Sequence, residues 1–156
     1  MIELVIPGFG DVQLKYLVTD FTGTLSIGGK LYKGVSEKID AVSKFLKVYI
    51  LTADTFGTAI KELEGKKCEV KVLSGENIDI QKEQFVKNLG AENVIAFGNG
   101  LNDRLMLKVA KIGVLVMLDE GCSTEALLSS KVVVKSPLDA FDLILDPKRL
   151  KATLRF

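Results

Sequence analysis

The sequence predicts an α/β protein of three layers, with helices on both faces of a mostly parallel sheet. Three observations carry this expectation. Short apolar runs of strand length alternate with longer stretches of helical period along the chain. The alternation implies strand–helix–strand units, which pair strands in parallel and cover both faces of the sheet. Hydrophobic residues make up 47% of the chain against 26% charged, enough for a sizeable core and too apolar for disorder.

The elements follow in order. Ile2–Ile6 reads as a strand, Pro7-Gly8-Phe9-Gly10 as a turn, and Val12–Leu14 as the return strand of an N-terminal hairpin spanning residues 2–14. Tyr16–Thr19 is a buried strand running into Asp20. Ser36 is the expected N-cap of a helix with apolar positions at Ile39, Val42 and Leu46. Lys47–Leu51 reads as a strand, Phe56–Leu63 as a helix and Cys68–Leu73 as an alternating strand. Asp79 is expected to cap a helix that carries Ile80, Val86 and Leu89 and is ended by Gly90. Then come strand Val94–Phe97, helix Leu101–Ala110, strand Gly113–Met117, helix Thr124–Ser129, strand Val132–Val134 and helix Leu138–Leu145. No repeat, low-complexity tract or linker divides the chain, so residues 1–156 are expected to form one domain.

Charge and composition remove several functions. With 21 basic and 20 acidic residues, no excess charge points to nucleic acid or to an acidic scaffold. There is no histidine, which excludes serine–histidine and cysteine–histidine catalysis and histidine metal sites. The two cysteines, Cys68 and Cys122, are too few for a disulfide framework and read as thiols in a reducing cytosol. No signal-peptide layout opens the chain, and no apolar run approaches the ~20 residues that span a bilayer. A cytoplasmic protein without membrane or nucleic-acid partners is expected.

In parallel sheets ligands sit at the carboxyl ends of the strands. Asp20, Thr52 and Gly98-Asn99-Gly100 each follow a predicted strand, so they are expected to meet at one sheet edge. In Asp20-Phe21-Thr22-Gly23-Thr24-Leu25 a strand delivers a carboxylate into a glycine turn. The glycine permits a sharp turn, and amides in such a turn can cradle phosphate oxygens. A carboxylate there can attack phosphorus. An aspartate that caps the turn is the plainer alternative. In Tyr49-Ile50-Leu51-Thr52-Ala53-Asp54 a strand ends in a hydroxyl able to donate to a phosphoryl oxygen, or simply to cap the turn. Lys82, in Asp79-Ile80-Gln81-Lys82, can neutralise anions or lie solvated on a helix, with Lys87 as a competing candidate. Phe97-Gly98-Asn99-Gly100-Leu101-Asn102-Asp103 offers glycines for close approach and oxygen ligands suited to a hard cation.

These segments, in this order, resemble the motifs of the haloacid dehalogenase superfamily. The first and last are most similar to the phosphorylation motif Asp-Lys-Thr-Gly-Thr and the Gly-Asp-Gly-x-Asn-Asp sequence of P-type ATPases. Phe21 replaces the lysine of the first and Asn99 the aspartate of the second, and Thr22 stands where most phosphatases of the superfamily carry an aspartate. The resemblance implies a Rossmann-like three-layer fold with a minimal or absent cap, given the short span from Asp20 to Thr52 and its small flap at residues 26–34. It implies Asp20, Thr22, Thr52 and Lys82 as catalytic residues, with Asp20 the nucleophile. Phe21, Gly23, Thr24, Ala53, Gly98 and Gly100 are expected around the phosphate. Mg²⁺ is expected on Asp20, Thr22, Asn99, Asn102 and Asp103.

The implied activity is Mg²⁺-dependent hydrolysis of a small phosphorylated substrate through an aspartyl-phosphate. Threonine at 22 cannot serve as a general acid, so nucleotide or acyl phosphates with good leaving groups are expected to be preferred. Without a cap, the site is expected to be open or covered by a second copy of the chain. The alternative is a catalytically weak or inactive module that binds Mg²⁺, phosphate or a partner protein, which Asn99 favours. A dinucleotide-binding dehydrogenase is a poor reading, because no Gly-x-Gly-x-x-Gly follows the first strand.

Overall fold

A computed structural model describes residues 1–54 and 56–156. The chain opens with a hairpin, in which β1 (Ile2–Ile6) pairs antiparallel with β2 (Gly10–Leu14). The central sheet has six strands, all parallel: β3 (Tyr16–Asp20), β6 (Lys47–Thr52), β7 (Glu69–Val72), β8 (Val94–Gly98), β9 (Ile112–Val116) and β10 (Val132–Val134). Between β3 and β6 a small hairpin forms from β4 (Ser26–Ile27) and β5 (Lys30–Leu31). Its turn residues Gly28 and Gly29 have φ of 58° and 78°, the left-handed pair that a two-residue hairpin needs. The hairpin falls within residues 26–34, and among the described residues no larger cap is inserted there.

The sheet order β10-β9-β8-β3-β6-β7 reverses direction between β3 and β8, which makes their carboxyl ends the topological switch point. Helices α1 (Val35–Val42), α2 (Thr58–Glu62) and α6 (Pro137–Leu145) cover one face together with the N-terminal hairpin, burying Leu17, Ile50, Phe97, Ile39 and Phe141 in a common core. Helices α3 (Ile78–Asn88), α4 (Arg104–Val109) and α5 (Thr124–Ser129) cover the other against Val18, Leu51, Ala96 and Leu115. Strands β3 and β8 are buried along nearly their whole length, which is why their sequences are apolar runs rather than alternations. Among the described residues no helix is long and apolar enough to cross a membrane.

Two helix starts differ from expectation. Helix α1 is preceded by Gly34 rather than Ser36, because Val35 is fully buried and the helix must begin early enough to place it in the core. Helix α3 follows Asn77, which adopts φ 56°, rather than Asp79. Asp79 lies in the first turn, and its carboxylate pairs with Arg104 at 2.9 Å. The stretch Leu101–Ala110 divides into a 3₁₀ turn, Leu101–Asp103, and α4. A last helix, α7 (Pro147–Leu154), has no counterpart in the sequence reading. It follows the Asp146 cap and opens on Pro147, and Leu150 anchors it to the core.

Candidate active site

Three strand ends and one helix converge at the switch point. Asp20 closes β3, Thr52 closes β6, and Gly98-Asn99 leaves β8. Lys82 comes from the first half of α3 and crosses over them. Its ammonium is fully buried and donates to Asp20 Oδ1 at 2.7 Å and to Asp103 Oδ1 at 2.7 Å. Asn102 Oδ1 lies at the limit of its reach, 3.5 Å. Lys87 pairs with Glu83 on the outside of α3 instead.

This chain of charges holds two carboxylates and one ammonium, so one negative charge stays uncompensated where little water reaches. Burial pushes the Asp20 carboxyl up to about 7, and the Asp103 charge adds to the rise. Attraction to Lys82 and a bond from the Phe21 backbone oppose it without cancelling it. Burial alone would lower Lys82. The two carboxylates outweigh that penalty and hold its ammonium above the ordinary lysine range.

Asp20, 8% exposed, forms part of the floor of an open pocket of 930 Å³. Thr22, Thr52, Ala53, Asn99, Gly100 and Asn102 line the same pocket, so most of the expected residues do come together. Thr24 is sealed beneath it, with its hydroxyl 3.4 Å from Asp20 Oδ2 and 3.1 Å from Asn99 Oδ1. Thr52 Oγ1 accepts from the Asp54 amide at 3.1 Å, which orients the hydroxyl at the strand end.

Three placements depart from expectation. The Phe21 ring is fully buried in the core, so this residue can offer the pocket only its backbone. Its carbonyl is engaged too, accepting from the amides of Leu25 and Ser26 at 2.9 and 3.1 Å. Asp103 has no exposure and does not line the pocket. Its Oδ1 accepts from Lys82 and its Oδ2 from the amides of Asn99 and Gly100, both at 2.9 Å, so it braces the loop and the lysine from behind. Gly98 stands behind the pocket as well. A side chain there would meet Asp103 at 2.6 Å, so glycine makes room for that carboxylate.

Sequence reasoning missed Glu120, which lines the pocket from the loop between β9 and α5. A Cβ on Gly23 would lie 2.7 Å from its Oε2. No motif marks this residue in the sequence. A polar stretch following a predicted strand, Leu118-Asp119-Glu120-Gly121, was the signal available.

Fold and site together describe a doubly wound α/β protein whose pocket has a buried, lysine-paired acid at its floor. The chain belongs to the haloacid dehalogenase-like hydrolases, whose family model matches residues 36–118. An uncharacterised protein of Methanocaldococcus jannaschii is 48% identical over 80 residues, which are 49% of this chain and 86% of that protein. Among solved structures, the chain resembles the 3-deoxy-D-manno-octulosonate 8-phosphate phosphatase of Moraxella catarrhalis, in complex with magnesium ion, phosphate ion and KDO. The TM-score is 0.70 at 16% identity, over 91% of this chain and 94% of that one. The cobalt-bound deoxy-D-mannose-octulosonate 8-phosphate phosphatase from Haemophilus influenzae gives 0.71 at 13% identity, over 92% and 94%. At such identities the likeness speaks for the fold.

Proposed function

We propose that the protein is a Mg²⁺-dependent phosphohydrolase that works through an aspartyl-phosphate on Asp20. The observation that carries this reading is the Asp20–Lys82–Asp103 chain, with bonds of 2.7 Å on either side of a fully buried ammonium, set at the floor of an open pocket. A buried lysine so placed can offset the charge of a carboxylate nucleophile and an incoming phosphoryl group together.

The donor set suits a hard divalent cation, with carboxylate, amide and peptide oxygens and neither thiolate nor imidazole. The Thr24 hydroxyl sits between Asp20 Oδ2 and Asn99 Oδ1, and its one proton can satisfy only one of them. The charge chain of Asp20, Lys82 and Asp103 keeps a net negative charge beside them, and that charge invites a cation. Among the described residues no three Cys, Asp or Glu side chains gather into an all-protein cage. That suits Mg²⁺, which commonly keeps several waters and takes one or two carboxylates plus substrate phosphate. Asp20, the Thr22 carbonyl and Asn99 would hold it, with Asn102 at the pocket wall and Asp103 acting from behind. When bound, it would neutralise charge building on the phosphoryl oxygens.

The chain's own residues supply the remaining steps. An Asp20 carboxylate oxygen attacks phosphorus, its O–P bond forms, and the bond to the leaving oxygen breaks with the electron pair departing on the leaving group. Thr52 and the backbone amide of Thr22 orient the phosphoryl oxygens, the Gly23 amide being engaged by the Ser26 carbonyl at 3.0 Å. Lys82 stays protonated throughout. Water then attacks phosphorus, the acyl–phosphate bond breaks, and the Asp20 carboxylate and orthophosphate are released. Thr22, exposed at the pocket, has no proton acidic enough to assist an alkoxide leaving group. Nucleotide and acyl phosphates are therefore the favoured substrate class, and the phosphoenzyme is long-lived.

A second reading, a binding module with little turnover, is favoured by one observation: Asn99 brings no charge to the cation. Acid-quenched trapping with a radiolabelled acyl phosphate and Mg²⁺ separates the two. A labelled protein band that Asp20→Asn abolishes supports the enzyme. Absence of label on the wild type, under conditions where it binds Mg²⁺, leaves the binding module.

A further inference from the structure

We infer that Glu120 supplies the second negative charge of the cation site, the charge that Asn99 does not carry. The inference rests on the Mg²⁺-dependent reading above and extends it to a residue outside the motifs.

Four acidic side chains line the pocket: Asp20, Asp54, Asp79 and Glu120. Three are engaged. Asp20 accepts from Lys82 at 2.7 Å, Asp54 from the amides of Phe56 and Ala59 at 3.0 and 2.9 Å, and Asp79 from Arg104 at 2.9 Å. Among the described residues no ion pair engages Glu120, although its carboxylate faces the same space. Its loop is held in place. The Gly121 amide donates to the Leu118 carbonyl at 2.9 Å, closing the turn that carries Glu120, and the Ser123 amide donates to the Asn99 carbonyl at 2.9 Å. The Glu120 loop and the Asn99 loop are thus tied backbone to backbone.

Their side chains converge over Gly23. A Cβ built there would lie 2.6 Å from Asn99 Nδ2 and 2.7 Å from Glu120 Oε2, so only glycine leaves this space open. Asn99 is only 8% exposed, and its Nδ2, aimed at this space, has no protein acceptor among the described residues. A half-turn of the amide removes the conflict at Thr24. Thr24 then donates its one proton to Asp20 Oδ2 and accepts from Asn99 Nδ2, and Asn99 Oδ1 faces the open space beside Glu120 Oε2. In that state a neutral oxygen and a free carboxylate face one point, next to the Thr22–Gly23 backbone and Asp20. Mg²⁺ readily takes such a carboxylate through a coordinated water.

The test is a titration of the full chain with Mn²⁺, followed by loss of the free-ion electron paramagnetic resonance signal, with Mg²⁺ as competitor. Wild type, Asp20→Asn, Glu120→Gln, Asn99→Asp and Asn99→Asp/Glu120→Gln are compared, with circular dichroism confirming that each is folded. Glu120→Gln is expected to weaken binding about tenfold, the low end for an outer-shell partner of a bound metal. Asn99→Asp, by restoring a charge at the neighbouring position, is expected to recover that loss in the double variant. If the wild type takes up no cation, the Mg²⁺-dependent reading itself falls. If the wild type binds, Asp20→Asn does not, and Glu120→Gln matches the wild type, that reading stands and the role of Glu120 is overturned. A tenfold loss that Asn99→Asp fails to recover also overturns it, since the effect would then be structural rather than one of charge.

Discussion

Replacing Lys82 by methionine tests the charge chain that the site is built on. The lysine side chain has 0% exposure, and its two partners have 11% and 0%. Methionine fills a similar volume, so packing changes little. What remains is a pair of carboxylates, buried together without a counter-ion. Removing one partner of a buried ion pair costs roughly 3–5 kcal/mol. At about 2–4 °C per kcal/mol for a chain of this size, the melting temperature should fall by about 10 °C.

The loss should depend on pH. The Asp20 carboxyl sits at about 7 in the folded protein against 3.8 as its ordinary value, so between these values the folded state holds the extra proton. Stability therefore falls as pH rises through that window. Without Lys82 the rise steepens, so the penalty should be full at pH 8 and smaller at pH 5, where a protonated Asp20 can donate to Asp103. Urea unfolding followed by far-ultraviolet circular dichroism measures this directly, since the chain has no tryptophan to report on it. A loss below about 1 kcal/mol at pH 8, or an equal loss at both pH values, would refute the reasoning.

Two further outcomes follow from the same geometry. Asp20→Asn removes the charge that burial and Asp103 disfavour, so in chelator-treated buffer it should stabilise the protein by roughly 1–3 kcal/mol at pH 8. The gain should fade as pH falls below 3.8, where the wild-type carboxyl becomes protonated in both states, and destabilisation at pH 8 would count against the assigned shift. Thr22→Asp places a carboxylic acid at the pocket and should raise turnover of alkyl phosphate monoesters by about a hundredfold in steady-state kinetics. A fall instead would mean that position 22 does not face the leaving group.

Much of the fold could be read locally. Strands β3, β6 and β8 announce themselves as apolar runs because parallel strands are covered on both faces, and each ends where its polar or glycine residue begins. The sites of Asp20, Thr52 and Asn99 followed from that alone, since a strand's last residue must lie at the sheet edge. Helix starts were less legible. Gly34 and Asn77 displaced Ser36 and Asp79 because burial of Val35 and the pull of Arg104 on Asp79 come from distant segments. Phe21 and Asp103 show the same limit. Motif position put both at the ligand, whereas packing turned one into core and the other into a brace behind Lys82.

The sequence by itself determined the layered α/β class, the strand ends that carry the site, and the absence of histidine chemistry. These depend on residue type and on spacing along a single element, which the chain order states directly. Only the tertiary structure decided that Lys82 bridges two buried carboxylates, that the Thr24 hydroxyl links Asp20 to Asn99, and that Glu120 overlooks Gly23. Each of these is a distance between segments far apart in the chain. Such distances are set by how the sheet winds and how the helices close over it.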